Sequence, residues 1–438
     1  MTGAPGRSEN WTLPDPAVAG DGMYALIRDL YPICRSITGN GVRETLRRLT
    51  RMIPMEVHEV PTGTRVFDWT VPKEWNIQDA YVKDERGTRI IDFARSNLHV
   101  VNYSIPVRAK MKLAELRSHL HTLPEHPEWV PYRTSYYSED WGFCLSHRQL
   151  SGLSEGTYEV CIDSSLEDGH LTYGECYLPG ERPDEILVSC HICHPSLCND
   201  NLSGIAVSAF LAQHLANIRR QYSYRFLFIP GTIGAITWLA LNQDRAHQIQ
   251  HGLVVACAGD AGHATYKRSR RDGAEIDRVV EHVLKHSKRP YDIQPFSPRG
   301  YDERQYCSPG FNLPVGCFSR TSHGRFAEYH TSADDLTFVK PEKLAESLAV
   351  ILAILSILER DRICRNQYPM CEPQLGRRGL YGQSAGRVPD DHTVAAMLWV
   401  LNLADGNNSL LSIAERADLP FDCIDEAARL LTTAGLVS

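Results

Sequence analysis

Residues 190–204 read Cys190-His191-Ile192-Cys193-His194-Pro195-Ser196-Leu197-Cys198-Asn199-Asp200-Asn201-Leu202-Ser203-Gly204. His191 closes the apolar run Ile186-Leu187-Val188-Ser189, and Asp200 lies in the Asn- and Gly-rich turn before a helix-like run from Ile205 to Leu215. Ligands of open α/β sheets bind at that edge, beyond the C-terminal ends of the strands. An imidazole there with a carboxylate close behind it is a natural donor pair for zinc. Two more such side chains fall where the same edge would collect them. Asp260 follows the run Leu253 to Gly259, and His330 lies in Glu328-Tyr329-His330-Thr331-Ser332. Imidazoles and carboxylates gathered in this way hold one or two cations, which polarise a carbonyl and activate water for hydrolysis. His194, followed by Pro195, reads as a turn residue that could substitute for His191 as a ligand.

These residues need a sheet to position them. From Glu185 onward the chain alternates strand-like runs (Ile186–Cys190, Tyr224–Ile229, Leu253–Ala258, Val315–Phe318) with helix-like stretches such as Glu275–Lys285 and Lys343–Leu358. Alternation of this kind gives a mostly parallel sheet covered by helices. Upstream, Leu26, Leu30 and Ile33, then Val42, Leu46 and Leu49, are spaced as on two helices separated by Gly39-Asn40-Gly41. Residues 60–180 are rich in aromatic, β-branched and turn residues, the pattern of a β-rich module. After a Gly-, Pro- and Arg-containing stretch, the tail reads helix (Thr393–Leu403), helix (Leu410–Ala417), helix (Cys423–Ala434) and an apolar hook at 435–437, a winged helix-turn-helix pattern.

With these segments in order, the chain resembles the aminopeptidase-like family allied to the M28 zinc aminopeptidases, in the branch with an inserted β module and a C-terminal winged helix. Asp200-Asn201-Leu202-Ser203-Gly204 matches the Asp-Asn-x-Ser-Gly turn of M28 enzymes, and the segments 302–310 and 328–332 match the branch. The resemblance implies a zinc-exopeptidase-like α/β fold, with the family domain over 22–59 and 181–365, a loose arm over 1–21, the β module over 60–180, a linker over 366–389 and the winged-helix-like domain over 390–438. It implies that His191, Asp200 and Asp260 hold a first zinc, and that Asp200 bridges to a second zinc held by His330. Asp302, Arg304, Tyr306 and Thr232 fall where the resemblance expects the substrate pocket.

Two positions depart from the pattern. M28 enzymes carry a Glu-Glu pair after the next strand, the first as general base and the second as zinc ligand. Here the segment reads Pro230-Gly231-Thr232-Ile233-Gly234. Gly231 removes the group that takes a proton from water, a loss worth roughly 10²–10⁴ in rate, and Thr232 weakens the second metal position. Glu328 and Glu303 are the candidates for a substitute base. Cys193 also replaces an Asp that orients the ligand His in M28 enzymes.

Bulk properties narrow the classes. The 438 residues, 43% hydrophobic and 23% charged, fit a multidomain globular protein, and the net charge of -7 argues against non-specific nucleic-acid binding. Thirteen cysteines at irregular spacing, with no signal-like or membrane-length apolar start, read as free thiols in the cytoplasm. Cys190, Cys193 and Cys198 lack a second pair at zinc-finger spacing. The basic run 267–271 reads either as a solvated loop or as a grip on an anionic substrate. Residues 390–438 hold eight acidic and two basic side chains, so the tail reads as a packing or homo-oligomer contact rather than a DNA reader. The expected function is a zinc-dependent aminopeptidase-like hydrolase of a small peptide or amide such as a biosynthetic intermediate; the alternative is a non-hydrolytic metal-containing protein that binds a peptide-like ligand.

Overall fold

Strands whose side chains are buried on both faces form the middle of one large sheet. The computed structural model describes Trp11 and residues 15–380 and 391–438. Eight strands build the sheet: β1 (Glu56–Pro61), β2 (His170–Leu178), β3 (Glu185–His191), β4 (Ser223–Ile229), β5 (Ile249–Val255), β6 (Ala264–Lys267), β7 (Tyr291–Gln294) and β8 (Val315–Ser319). Their spatial order is β1-β2-β4-β3-β5-β8-β6-β7. The central four, β4, β3, β5 and β8, are parallel, while β1, β2 and β6 pair antiparallel at the flanks. Every residue of β3 and β4 is buried, as expected for parallel strands covered on both faces. His191 pairs with Ile229 across β3 and β4, so the ends of those two strands, and the Pro230-Gly231 turn, meet at one point.

The mostly parallel α/β reading holds at the centre of the sheet. The stretch read as a β module divides between two sheets. Strands Glu74–Lys83, Arg89–Asp92, Val107–Lys112 and Thr157–Glu167 form a separate four-stranded antiparallel sheet, whereas β1 and β2 add antiparallel strands to the main sheet. Antiparallel flanking strands share the composition of an antiparallel module, so composition alone does not separate them.

The loose arm expected over 1–21 lies outside the described residues up to residue 14, apart from Trp11. From residue 16 the chain is helical: Asp15 accepts hydrogen bonds from Ala17 N and Val18 N, and the helix Pro16–Leu30 follows. Asp is a favoured N-cap and Pro a favoured first helical residue. Gly20 sits where an added Cβ would lie 2.5 Å from the Pro341 carbonyl oxygen, so it serves close packing inside a helix. The linker expected over 366–389 contains a short 3₁₀ turn at Gly376–Arg378, and its residues 381–389 lie outside the described residues.

Residues 275–291 and 350–438 form a second compact unit. It contains the helices Glu275–His286, Asp391–Leu403, Leu410–Ala417 and Phe421–Thr433, and a two-stranded sheet of Ile363–Arg365 with Asp405–Ser409. The apolar hook pairs through Val437 with Asn366. Within this unit Asp425, 1% exposed, is held by Arg360, Arg362 and Arg429, and Asp422 by Arg360. No helix among the described residues is long and apolar enough to cross a membrane.

His251 in β5 gives the first unit an acid-sensitive point far along the strand from its C-terminal end. Burial pushes its imidazole down to about 4 from 6.5, and Nδ1 has no hydrogen-bond partner among the described residues. The unfolded chain takes up this proton near pH 6.5 and the folded chain only near 4. The associated stability is therefore complete above pH 6.5 and is lost as pH falls toward 4, by at most about 3 kcal/mol. Chemical denaturation of the natural protein and of His251→Leu across that window should show a flatter pH profile for the variant; identical slopes would remove His251 as the source.

Candidate metal centre

Asp200 is fully buried and each of its carboxylate oxygens faces an imidazole. Oδ1 lies 2.9 Å from His191 Nε2, and Oδ2 lies 3.0 Å from His330 Nε2 and 3.9 Å from His194 Nε2. The ligand atoms of His191, His194 and Asp200 all fall within 4.8 Å of one another. Burial alone would raise the Asp200 carboxyl, but His194 and the hydrogen bonds to His191 and His330 outweigh it and hold the group well below the usual carboxylate range. Burial pushes His194 well below its ordinary value, which leaves it a neutral donor. Imidazole nitrogens around an ionised carboxylate suit zinc, and two oxygens turned to different imidazoles suit a carboxylate shared between two cations. The residues present therefore fit the metal that the sequence implies.

The loop that presents Asp200 is fixed from below. The Asp334 carboxylate accepts the backbone N–H groups of Asn199 (2.6 Å) and Asp200 (2.9 Å). Asn199 Nδ2 donates to Asp260 Oδ2 at 2.9 Å, and its Oδ1 accepts from Gly259 N at 2.9 Å. Asn201 Nδ2 donates to Val255 O at 3.1 Å and stands 3.4 Å from His191 Nδ1. Arg35, 0% exposed, donates from Nε to the His194 carbonyl at 2.8 Å. The imidazoles are packed against aromatic rings: His191 stacks on Tyr301 (4.9 Å) and His330 on Tyr329 (4.0 Å), while Tyr132 lies 5.2 Å from His194 and 5.1 Å from His330.

His330 reaches Asp200 because segment 130–132 grips its loop. Tyr132 N donates to His330 O at 2.7 Å, Ser332 N to Val130 O at 2.8 Å, and Val130 N to Ser332 Oγ at 3.0 Å. His330 itself has φ +56°, a left-handed conformation that such clamping maintains.

Asp260 is not brought into the donor group. Its Oδ1 accepts from Gly262 N (2.7 Å) and Thr321 Oγ1 (2.6 Å), and its Oδ2 from Asn199 Nδ2 (2.9 Å) and Thr321 N (3.1 Å). A carboxylate with both oxygens engaged by protein donors anchors the loop instead, and His194 takes the place in the cluster. Tyr306 is also corrected: it is 0% exposed, lies in the apolar core and shares a 2.9 Å hydrogen bond with Ser189 Oγ, so it does not face a substrate. Glu303, 1% exposed, forms an ion pair with Lys267 at 2.5 Å, which removes it as a free base and absorbs part of the basic run. Arg270 and Arg271 of that run bond to Asn312. Glu328 is half-buried, and its carboxylate makes no hydrogen bond or ion pair among the described residues. Thr232 caps the helix Ile233–Leu241 without a side-chain hydrogen bond, and Arg304 is half-buried with Nε unpartnered.

Asp302 holds the most consequential position. A Cβ built on Gly231 would lie 3.1 Å from His191 Cβ and 3.5 and 3.6 Å from the two Asp302 oxygens. Asp302 is 1% exposed, and neither oxygen has a hydrogen-bond partner among the described residues. Burial, opposed by His191, pushes its carboxyl up to about 7. The sequence placed Asp302 in the substrate pocket; the structure sets it directly beside the gap that Gly231 leaves. Sequence reasoning gave no role to Asp334, Asn199, Asn201 or Arg35. Asp334 lies four residues after His330, but a single Asp at that distance carries no distinctive signal.

Comparison with known proteins bears on the family and the fold. Residues 24–361 match the model of a family described as a domain of unknown function, DUF4910, and residues 362–438 match a winged helix-turn-helix model. A Clostridium acetobutylicum protein with the provisional name of a polysaccharide biosynthesis protein with an aminopeptidase-like domain is 50% identical over 422 residues, covering 96% of this chain and 97% of that protein. A crystal structure from the same organism, provisionally described as a peptidase, has a TM-score of 0.93 at 50% identity, with 97% of each chain covered. The zinc aminopeptidase BSAP from Bacillus subtilis has a TM-score of 0.56 at 10% identity, covering 80% of this chain and 95% of that one, a likeness of fold.

The donor assignment makes a direct prediction. After incubation with zinc and removal of excess metal, elemental analysis should find bound zinc in the natural protein and in Asp260→Asn, and little in His191→Ala or His194→Ala. Zinc kept by His194→Ala but lost from Asp260→Asn would return the ligand role to the carboxylate.

Proposed function

We propose that this chain, which belongs to the DUF4910 family and ends in a winged helix-turn-helix, is a zinc-dependent hydrolase that cleaves an amide bond of a small substrate with Asp302 as general base. The observation that carries this reading is the buried Asp302 carboxylate, unpartnered on both oxygens and facing Gly231 and His191. A cation held by His191, Asp200, His330 and His194 would polarise the scissile carbonyl and stabilise its developing negative charge. Asp302 takes a proton from the attacking water and returns it to the leaving nitrogen, as one carboxylate can do in successive steps. Asn201 and Tyr301 orient His191, and Tyr329 orients His330, so the donors are set before substrate arrives. Asp200, with its oxygens turned to different imidazoles, leaves room for a second cation, and Thr232 in place of a carboxylate makes that second position the weaker one.

The fold of a zinc aminopeptidase supports a small peptide or amide as substrate, and the name of the Clostridium relative supports a biosynthetic setting. The C-terminal unit reads as a packing or oligomer contact. Asp422 and Asp425 lie on its Phe421–Thr433 helix and engage Arg360 and Arg362, so these guanidinium groups are occupied rather than offered to phosphates. All thirteen cysteines are free thiols, in keeping with a reducing compartment.

The alternative, a metal-containing protein that binds without cleaving, draws on Gly231. The two readings part on one residue. Zinc-loaded natural protein should hydrolyse aminoacyl-nitroanilides or N-acyl amines, and Asp302→Asn should lower kcat by about 10²–10⁴ with zinc content unchanged. A change below about threefold would remove Asp302 as base and point to Glu328, tested by Glu328→Gln; no turnover by the natural protein with any amide would favour the binding reading.

A further inference from the structure

Three exposed aromatic side chains lie on and beside one hairpin that the core does not use. The hairpin of Arg65–Val66 and Trp69–Thr70 buries Val66, 0% exposed, in the same apolar cluster as Cys193, Ile233 and Tyr306. It packs on the helix Ile233–Leu241, which begins two residues after Gly231. Its other residues turn outward: Phe67 is 41% and Trp69 44% exposed, and Tyr137 beside them is 49% exposed. Trp69 and Tyr137 meet edge to face at 5.3 Å, and Phe67 meets Phe311 at 5.8 Å. An edge-to-face contact covers one ring face in each pair, and the three rings keep 41–49% of their surface exposed.

Two of these residues hold strained backbone. Phe67 has φ +58° and Tyr137 φ +66°, a left-handed conformation that Gly or Asn adopts at lower cost than a bulky side chain. An exposed ring in such a place adds nothing to the core. Tyr137 also leads inward. Burial, with Cys193 and Asp302 nearby, pushes its phenol above the ordinary range. Next to it, Tyr136 hydrogen-bonds through its hydroxyl to Tyr132 at 2.9 Å, the ring that packs on His194 and His330.

We infer that Phe67, Trp69 and Tyr137 form a subsite for a pyranose ring, and that the amide cleaved is the N-acyl group of an amino sugar. This rests on the hydrolase reading of the same centre. Open aromatic faces stack on the C–H face of a sugar, whose hydroxyls remain for polar partners. Asp68, exposed between Phe67 and Trp69, supplies a carboxylate acceptor. A purely apolar side chain would instead call for an enclosed pocket. In the reaction water adds through oxygen to the acyl carbon, the C–N bond breaks, and the proton passed through Asp302 leaves on nitrogen. The products are a carboxylic acid and a free amino sugar.

Calorimetric titration of metal-free protein with N-acetylglucosamine and N-acetylgalactosamine, alongside an N-acetyl amino-acid amide, tests the subsite without turnover. A hexosamine should bind, Trp69→Ala should weaken it roughly tenfold, and Trp69→Phe should retain most of the affinity. Zinc-loaded protein should release amine from the same sugar. Sugar affinity unaffected by Trp69→Ala, or no sugar binding while aminoacyl amides are hydrolysed, overturns the subsite and leaves the hydrolase reading standing. Trp69-dependent sugar binding with no amide cleaved by zinc-loaded protein overturns the hydrolase reading and, with it, the assignment of the scissile amide to the sugar.

Discussion

Everything around the centre follows from one buried charge. An ionised carboxylate removed from water is costly unless other groups compensate it, and Asp200 is buried completely. The fold answers with three imidazoles around its oxygens and a loop that cannot shift. Asp200 and Asn201 depart from helical φ and ψ, and the regular helix begins only at Gly204. Asp334 holds that irregular backbone by its N–H groups, and Asn199 ties it to Asp260. Each link would be unnecessary if Asp200 were a surface turn residue. Together they keep two carboxylate oxygens pointed in different directions, the requirement for sharing them between ligands.

Segment 130–132 is part of the same answer. His330 lies in a loop with left-handed backbone, and this segment clamps it through three hydrogen bonds that involve the backbone. Without that clamp one oxygen of Asp200 would lose its imidazole. The 65–70 hairpin reaches the same region from the other side of the chain order, burying Val66 in the apolar cluster of Cys193, Ile233 and Tyr306. Residues far from the donors in sequence thus fix both the donor set and the core beneath it.

Much of this was readable from the chain because the determinants are local. Apolar runs marked β3 and β4, and a His at a strand end followed by Asp in a Gly-rich turn marked the sheet edge. The N-terminal helix was harder to read because Gly20 resembles a loop residue until its contact with Pro341 is seen. The roles of carboxylates were not local. Asp200 and Asp260 are alike in sequence, each following an apolar strand, yet one faces imidazoles while the other is saturated by Gly262, Thr321 and Asn199. Only tertiary donors distinguish a ligand from an anchor. His194 is hard to place for the same reason: a His before Pro reads as a turn, and its nearness to Asp200 comes with the buried Arg35 that holds its carbonyl.

The segment 302–306 shows how a small element frees one side chain by occupying its neighbours. The sequence assigned Asp302, Arg304 and Tyr306 to the substrate pocket and Glu303 to catalysis. In the structure Tyr306 is locked in the core by packing and Ser189, and Glu303 is locked by Lys267. Glu303 and Tyr306 thus fix this short helix at two points, while the Asp302 carboxylate at its start has no hydrogen-bond partner among the described residues. Gly231 keeps open the space that the Asp302 carboxylate faces. A Cβ there would stand close to His191 Cβ, at 3.1 Å, and in ordinary contact with the Asp302 oxygens at 3.5 and 3.6 Å, so a longer side chain at 231 would compete with Asp302 for the same space. In this chain the base is proposed to have moved from one wall of the cleft to the other, and the glycine is the space it needs.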